Sequence, residues 1–512
     1  MHRYRIFAFF WAAATFAGLV HRTDLLTTPI CTAVTCLAIL TMFRPSWTWP
    51  FLGMNGVQIY HYFVHAPPPG VGNQDMFRLV AQLAIMIAFF VAARRHGVLW
   101  GERSIEDGEF RERFLASFAP ALRALTVLLY FFAVFHKLNT DYFDPSRSCG
   151  GYFTLWFLEG WPNSLPDYGV SPGTSGKVLL PEGPTWFKLV SLYGLLVAET
   201  AIPILLVMRR TVFAGIGLGL ALHIFVGFFN YWHFSVILYP LYALFLPARS
   251  IDDLAAWAAG IRRRWGPRQR ALTGNGVMAL IFALIPILVL AMDESAVIRR
   301  QFGTFGRGGN WRGPQLTFQT IAGWGMFLVL SITTVVALVR LIRRERQRVR
   351  AGEGQPSQPL FARSLAVAFA LCAGFFNGFT PYLGLKTDQA WTMFAGLYTE
   401  AGSSNHFIMP SWQPFDLQQD LVRPISSSDN IKIPGWKSRY LVNYYTLRYY
   451  VSRQAARGVE DISVSYTRDG VRYDIENAEA HPELAAPIGF GPRKFLSFKK
   501  IPADPEARKC WY

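Results

Sequence analysis

The chain has 512 residues, 52% of them hydrophobic and only 16% charged, against about 25% charged in an ordinary soluble domain. Lys and Arg outnumber Asp and Glu by 50 to 33, a net charge of +17. The basic residues sit largely in short stretches between apolar runs, which marks membrane topology and argues against a nucleic-acid partner.

Taken in chain order, apolar runs of near-spanning length fall at about 6–20, 25–43, 49–65, 76–93, 117–136, 185–207, 211–229, 231–247, 272–292, 318–340 and 363–379. These predict roughly ten or eleven membrane helices. The first run follows a short basic start (His2, Arg3, Arg5) without a small-residue cleavage site, and reads as a signal anchor. The first and third runs are short and polar for spans. The seventh and eighth have almost no loop between them, which fits a broken or re-entrant pair. Gly215 and Gly219, at GxxxG spacing, predict close helix packing.

Orientation follows from the basic clusters Arg94–Arg95, Arg209–Arg210, Arg262 to Arg270 and Arg340 to Arg350. Eleven spans put all of these in the cytoplasm, with the N-terminus inside and the C-terminus outside; Arg299, Arg300, Arg307 and Arg312 run against that bias. A Pro/Gly/Gln-rich linker follows at 351–359. From 380 onward no long apolar run remains. Ile462–Tyr466 and Val471–Ile475 alternate as strands do, with a turn at Asp469-Gly470. The fold class is therefore mainly α: a polytopic transmembrane helical bundle with a small, extracytoplasmic, mixed or β-rich C-terminal domain. Cys31, Cys36 and Cys372 fall in apolar runs, whereas Cys149 and Cys510 fall outside the cytoplasm, where a disulfide between them is permitted.

Three groups of residues are candidates to carry chemistry. At the end of the fifth run the chain reads Phe135-His-Lys-Leu-Asn-Thr-Asp-Tyr142. Lys137 there has two readings: a snorkelling interfacial cation, or a desolvated amine facing the bundle and able to act as a base. Glu199 lies well inside the sixth run, where a carboxylate must be neutral, paired or facing water, and Pro203 kinks the same helix. His223, Asn230 and His233 sit among aromatic residues at the expected break; they are structural donors or the walls of a polar pocket. His61 and His65 share a helix face, but with no acidic neighbour they do not amount to a metal site, and no metal is expected. The glycine-rich stretch 303–313 lacks the strand and helix of a phosphate loop.

The run at 135–142 resembles the Lys-Lys-Leu-Asp-Ala-Asp-Trp motif of vitamin K-dependent gamma-carboxylases, and more closely their prokaryotic relatives with a horizontally transferred transmembrane (HTTM) domain. The His223 segment, ending Phe234-Ser-Val-Ile-Leu-Tyr-Pro240, resembles the carboxylase segment that runs through a histidine and an asparagine to Phe-Ser-Ile-Gly-Met-Phe. Glu199 falls where that family carries an acidic residue in an apolar helix. Asn377-Gly-Phe-Thr-Pro-Tyr-Leu-Gly-Leu-Lys-Thr387, with Met393-Phe-Ala-Gly-Leu397 and Ser404-Asn-His-Phe407, is similar to the segment after the last span of many HTTM proteins.

The resemblance divides the chain into N-terminal membrane helices (1–115), an HTTM-like core (116–250), further membrane helices (251–379) and the extracytoplasmic domain (380–512). It implies that Lys137 deprotonates reduced vitamin K or menaquinol, that O2 then yields a strong base, and that CO2 adds to the resulting carbanion. His223 assists; His136, Asn139, Asp141, Glu199, Asn230 and His233 support the pocket, with Asp141 orienting the lysine. His136 stands where the carboxylases have a first lysine and Tyr142 where they have tryptophan, and the large propeptide-binding region is not recognisable. The implied partners are membrane lipid and an exported peptide or protein. A non-catalytic scaffold or maturation partner is the alternative. A proton-coupled transporter is a third reading, weakened by the lack of internal repeats.

Overall fold

The computed structural model describes residues 2–22, 28–64, 72–151, 185–264, 318–351, 364–410, 413–433 and 435–504. The span expected at 272–292, the glycine-rich stretch 303–313, His65 and Cys510 lie outside these residues.

The helical part comprises α1 (His2–Arg22), α2 (Pro29–Phe43), α3 (Thr48–Val64), α4 (Asn73–Arg95), α5 (Gly108–Phe135), the short α6 (Thr140–Phe143), α7 (Thr185–Val207), α8 (Val212–Val226), α9 (Trp232–Phe245), α10 (Ala248–Arg264), α11 (Phe318–Arg350) and α12 (Leu365–Phe379). Polar residues set several starts. The Thr28 hydroxyl accepts from Cys31 N ahead of Pro29, Asp107 caps α5 and Ser364 caps α12.

Among the described residues, four helices are long and apolar enough to cross a membrane: α4, α5, and the stretches Lys188–Val207 of α7 and Gly323–Arg350 of α11. A fifth span is added if α9 and α10, which meet at 111°, count as one bent span. Helices α2, α8 and α12 are apolar but shorter. Helices α1 and α3 are not among these: α1, at 21 residues, is long enough but begins with Arg3 and Arg5, and α3 has 17 residues. Along α7, Trp186, Val190, Val197 and Ile204 form a stripe exposed to the surroundings. Leu328, Ile332, Val336 and Val339 do the same on α11. Contiguous apolar stripes of this kind are costly in water and suit lipid.

The expected break between the seventh and eighth runs is a π-helical turn, Gly227–Tyr231. There the chain doubles back. The ring of His223 lies 6.3 Å from that of Tyr242, a pair that on a straight helix would stand nearly 30 Å apart. Gly219 makes the close approach possible, since a Cβ there would sit 2.5 Å from the Tyr242 hydroxyl oxygen. Gly215 does the same against the backbone of Leu206, at 2.8 Å, so the GxxxG pair serves close packing of α8 on both neighbours.

Aromatic rings fill the core between α1, α3 and α5. Phe7 packs 5.1 Å from Phe118, and Phe118 lies 4.9 Å from Phe114. The Trp11 indole N–H donates to the buried Asn55 amide oxygen at 3.0 Å. The ends of the bundle differ in charge. At one end are the starts of α1 and α5 and the close of α11, where Arg348 pairs with Asp253 of α10 at 2.8 Å and Arg3 lies within electrostatic reach of Glu112 and Asp252. At the other are the end of α5, the start of α4 and the C-terminal sheet.

That sheet has five strands in the order β4-β3-β1-β2-β5, with every pairing antiparallel. They are β1 (Leu421–Ser427), β2 (Tyr440–Asn443), β3 (Val464–Arg468), β4 (Val471–Ile475) and β5 (Ile501–Pro502), with helix α13 (Tyr444–Ala455) after β2 and the short α14 (Pro482–Ala485) and α15 (Phe490–Phe495) near the end. The expected hairpin is present: Arg468 faces Val471, and Asp469 and Gly470 turn between them at φ 50° and 79°. Val422, Leu447, Val451, Ile462 and Val464 form its core.

The boundary at 380 is displaced. Residues 380–409 form a strap packed on the bundle, with Trp391 inside the bundle core and Tyr382, Ala395 and Leu397 against Phe135 and Phe379.

Candidate functional site: a buried lysine–glutamate pair under a strap

Helix α5 stops where Asn139 turns extended and caps α6, its amide oxygen accepting from Tyr142 N at 2.8 Å. This turn carries His136 and Lys137 inward. The Lys137 side chain is 1% exposed. Its Nζ donates to Ala133 O at 3.0 Å and to Met393 O of the strap at 3.3 Å. It lies 2.7 Å from Glu199 Oε2 of α7, an ion pair by distance, and 5.9 Å above the Tyr142 ring. Glu199 is 14% exposed, on a helix whose outer side is apolar and open. Pro203 has no N–H to offer the Glu199 carbonyl, so α7 is loosened one turn from the carboxylate. Of the two readings of Lys137, the snorkelling one does not hold: the ammonium points into the protein.

The strap closes the site through the same turn. Asn139 Nδ2 donates to His136 O and Ala395 O, each at 2.7 Å, and Asn405 Nδ2 donates to Asn139 Oδ1 at 3.3 Å. Thr140 N donates to Asn405 O at 3.0 Å and Phe407 N to Leu138 O at 2.9 Å. His406 Nε2 donates to Phe135 O at 2.8 Å, while its Nδ1 accepts from Ile408 N and Met409 N. Four non-glycine residues of the strap, Gln389, Trp391, Phe394 and Ala401, have φ between 51° and 61°. Such a conformation costs of order 1–3 kcal/mol each and persists only where the surroundings impose it.

Tyr130 lies two turns, about 10 Å, before Lys137 on α5 and there meets His223 of α8. Its Nε2 is 2.7 Å from the Tyr130 hydroxyl, which also bonds the Tyr242 hydroxyl. His223 Nδ1 is buried without a hydrogen-bond partner among the described residues. Glu199 lies within electrostatic reach of both Tyr130 and Tyr142.

The remaining expected residues fall elsewhere. His136 turns away from Lys137: its Nε2 donates to Ala390 O at 3.1 Å, its Nδ1 accepts from the Tyr382 hydroxyl at 2.9 Å, and its ring stacks on Phe132 and Tyr382. Asp141 does not orient the lysine; it faces Arg147 at 3.5 Å, and the carboxylate on Lys137 is that of Glu199. The α6 turn points Asp141 outward while Tyr142 points in. Asn139 is a capping and strap-anchoring residue. His233 Nε2 is 3.2 Å from the Gln74 side-chain amide of α4. Asn230 lies on the π-helical turn, and its side chain is outside the described residues. Cys149 is disulfide-bonded. Tyr130 and Tyr242 were not foreseen, although Tyr130 lies seven residues before Lys137 and so shares its helix face. Among the described residues no three His, Cys, Asp or Glu side chains converge as a metal would need.

Set against known protein families, curated proteins and solved structures, the chain matches none.

Proposed function

We propose that this chain is a multi-pass membrane enzyme of the gamma-carboxylase-like, HTTM class, using Lys137 as a base on a lipid-soluble quinol. The observation that carries the reading is the Lys137–Glu199 pair, 2.7 Å apart inside the protein. Transfer of a proton from Nζ to Glu199 turns the ion pair into a neutral amine beside a carboxylic acid. The amine can then accept a proton from a weakly acidic hydroxyl. Tyr142 and the Met393 carbonyl hold Nζ in place for this. The partnerless Nδ1 of His223 fits a quinol oxygen, and the apolar outer side of α7 fits lateral entry from lipid. When bound, a quinol would supply, in its four-electron oxidation by O2 to quinone epoxide and water, a base strong enough to remove a carbon-bound proton, and CO2 would then add to the acceptor. An exported peptide or protein meeting the sheet is the acceptor in this reading. The Arg-rich end of the bundle is cytoplasmic, and the strap and sheet are extracytoplasmic.

A second reading has its own observation. Lys137 is also bonded to two backbone carbonyls, so the pair serves equally as a lock joining α5, α7 and the strap. In that case the chain is a membrane scaffold or maturation partner for an exported polypeptide. Oxygen-dependent quinol epoxidation by the purified chain in nanodiscs separates the two. Turnover with phylloquinol or menaquinol that is lost in Lys137→Ala supports the enzyme; folded wild type that turns over neither quinol sinks it and leaves the scaffold.

A further inference from the structure

Where the sheet meets the bundle lies a cleft of about 560 Å³ between α13, the chain around α14 and α15, and the end of α3. The junction is fixed on both sides. Lys494 Nζ donates to Tyr62 O at 3.2 Å, and the Tyr62 hydroxyl donates to Lys494 O at 3.3 Å. Beside it Phe63 stacks on Phe490, ring centroids 6.3 Å apart.

The lining is divided by chemistry. One wall is apolar: Val64 at the tip of α3, Pro487 and Ile488. It continues outward into Phe490, which is 57% exposed. The other wall is lined by Arg453, Arg457 and Arg493; Arg453 bonds the Tyr449 hydroxyl, and Arg453 and Arg457 also border a smaller recess beside Asp429. None of these three forms an ion pair with a carboxylate among the described residues. The one acid in the lining, Glu479, is turned to the backbone N–H groups of Asp461 and Ile462. Three arginines bordering one recess are suited to an anion with several oxygens, above all a phosphate. The apolar wall beside them begins at the tip of a bundle helix, at the end where α4 begins, so it lies at the level where lipid tails meet headgroups.

We propose that this cleft binds the headgroup of an anionic phospholipid, with the phosphate on Arg453, Arg457 and Arg493 and the first acyl carbons along Val64 and Ile488. A soluble phosphate would leave the apolar wall unused, and an extended acidic peptide would leave it facing charge. The bound lipid would brace the sheet against the bundle and hold the strap side of Lys137 closed. The proposal rests on the membrane placement given above and not on the chemistry at Lys137.

Native mass spectrometry of the full chain, with equal dioleoyl phosphatidylglycerol and dioleoyl phosphatidylcholine in the micelle, reads it directly. Wild type retains phosphatidylglycerol at least about tenfold over phosphatidylcholine, because both lipids offer a phosphate but the choline headgroup also brings a cation among the three arginines. The preference shrinks as salt rises. It falls to parity in the Arg453→Gln, Arg457→Gln, Arg493→Gln triple variant, and a single Arg457→Glu change, on an exposed side chain, weakens it without loss of fold. Glu199→Gln keeps it, which separates this site from the base chemistry. Equal retention of the two lipids by wild type, or an undiminished preference in the folded triple variant, overturns the proposal. So does displacement of the lipid by glycerol 3-phosphate or by a soluble acidic peptide at equal concentration, either of which gives the cleft to that ligand.

Discussion

The bundle and the sheet each hold an acid–base pair, and they treat it differently. In the sheet, Arg468 lies along Asp420 with two contacts of 2.9 and 3.0 Å and stacks 3.8 Å over the Tyr444 ring. Both partners are open to water, 27% and 37% exposed. In the bundle, Lys137 and Glu199 approach to 2.7 Å with the lysine sealed. By distance alone the two look alike. Burial makes one a minor surface contact and the other a charge pair that neither partner can lose cheaply. Asp420 illustrates the first case: partial burial raises its pKa more than Arg468 lowers it.

The largest effect is expected where that contrast is broken on the buried side. Lys137→Met leaves Glu199 without its counter-charge and should cost about 3–5 kcal/mol, read as a lower melting temperature in detergent. Lys137→Met with Glu199→Leu should recover most of it; a double variant no better than the single one would mean that Glu199 is not the partner. A second effect of up to a few kcal/mol concerns Lys386, fully buried in the strap 4.6 Å from the Phe495 ring, with Nζ bonded to nothing among the described residues. Burial pushes its pKa down to about 7, with Asp388 pulling the other way. The folded value then lies below the unfolded one, so between them the unfolded chain binds more protons. Stability should rise as pH climbs from about 7 towards 10 and be lowest below 7. Lys386→Met should stabilise the chain at neutral pH and flatten that rise; an unchanged pH profile would show that the ammonium is not desolvated.

Smaller again is Tyr130→Phe, which strips His223 Nε2 of its partner. A loss of about 1–3 kcal/mol is expected. A double-mutant cycle with Tyr242→Phe should give a coupling energy above zero, and strict additivity would contradict the chain of contacts. The smallest change is Asp420→Asn in the sheet, at about 0–1 kcal/mol. A loss there as large as that of Lys137→Met would erase the contrast between the regions.

Much of this fold was legible in the sequence, for identifiable reasons. Helices α4, α5 and α7 follow from apolar length, and the β3–β4 hairpin from alternation around Asp469-Gly470, because both signals are local. The missing loop between α8 and α9 pointed to the place where the chain doubles back. The strap was not legible. Its shape comes from left-handed residues such as Trp391 and from bonds to Asn139 and Asn73, which lie far away along the chain. Lys137 and Glu199 each stood out as a charge in an apolar setting, but their pairing did not. Asp141, closer in sequence, was the natural candidate, and the α6 turn carries it to Arg147.

If the Lys137–Glu199 pair moves a proton, as proposed, and does not merely join helices, its loss should cost turnover as well as stability. Oxygen uptake with menaquinol or phylloquinol in nanodiscs, measured beside the melting temperature for wild type and Glu199→Gln, tests it most directly. Turnover is expected in wild type and at least a hundredfold loss in the variant, roughly the contribution of a positioned acid–base group, at a temperature where the variant, although its melting temperature is lower, is still folded. A folded wild type with no quinol-dependent uptake, or a Glu199→Gln chain that turns over at the wild-type rate, would contradict it.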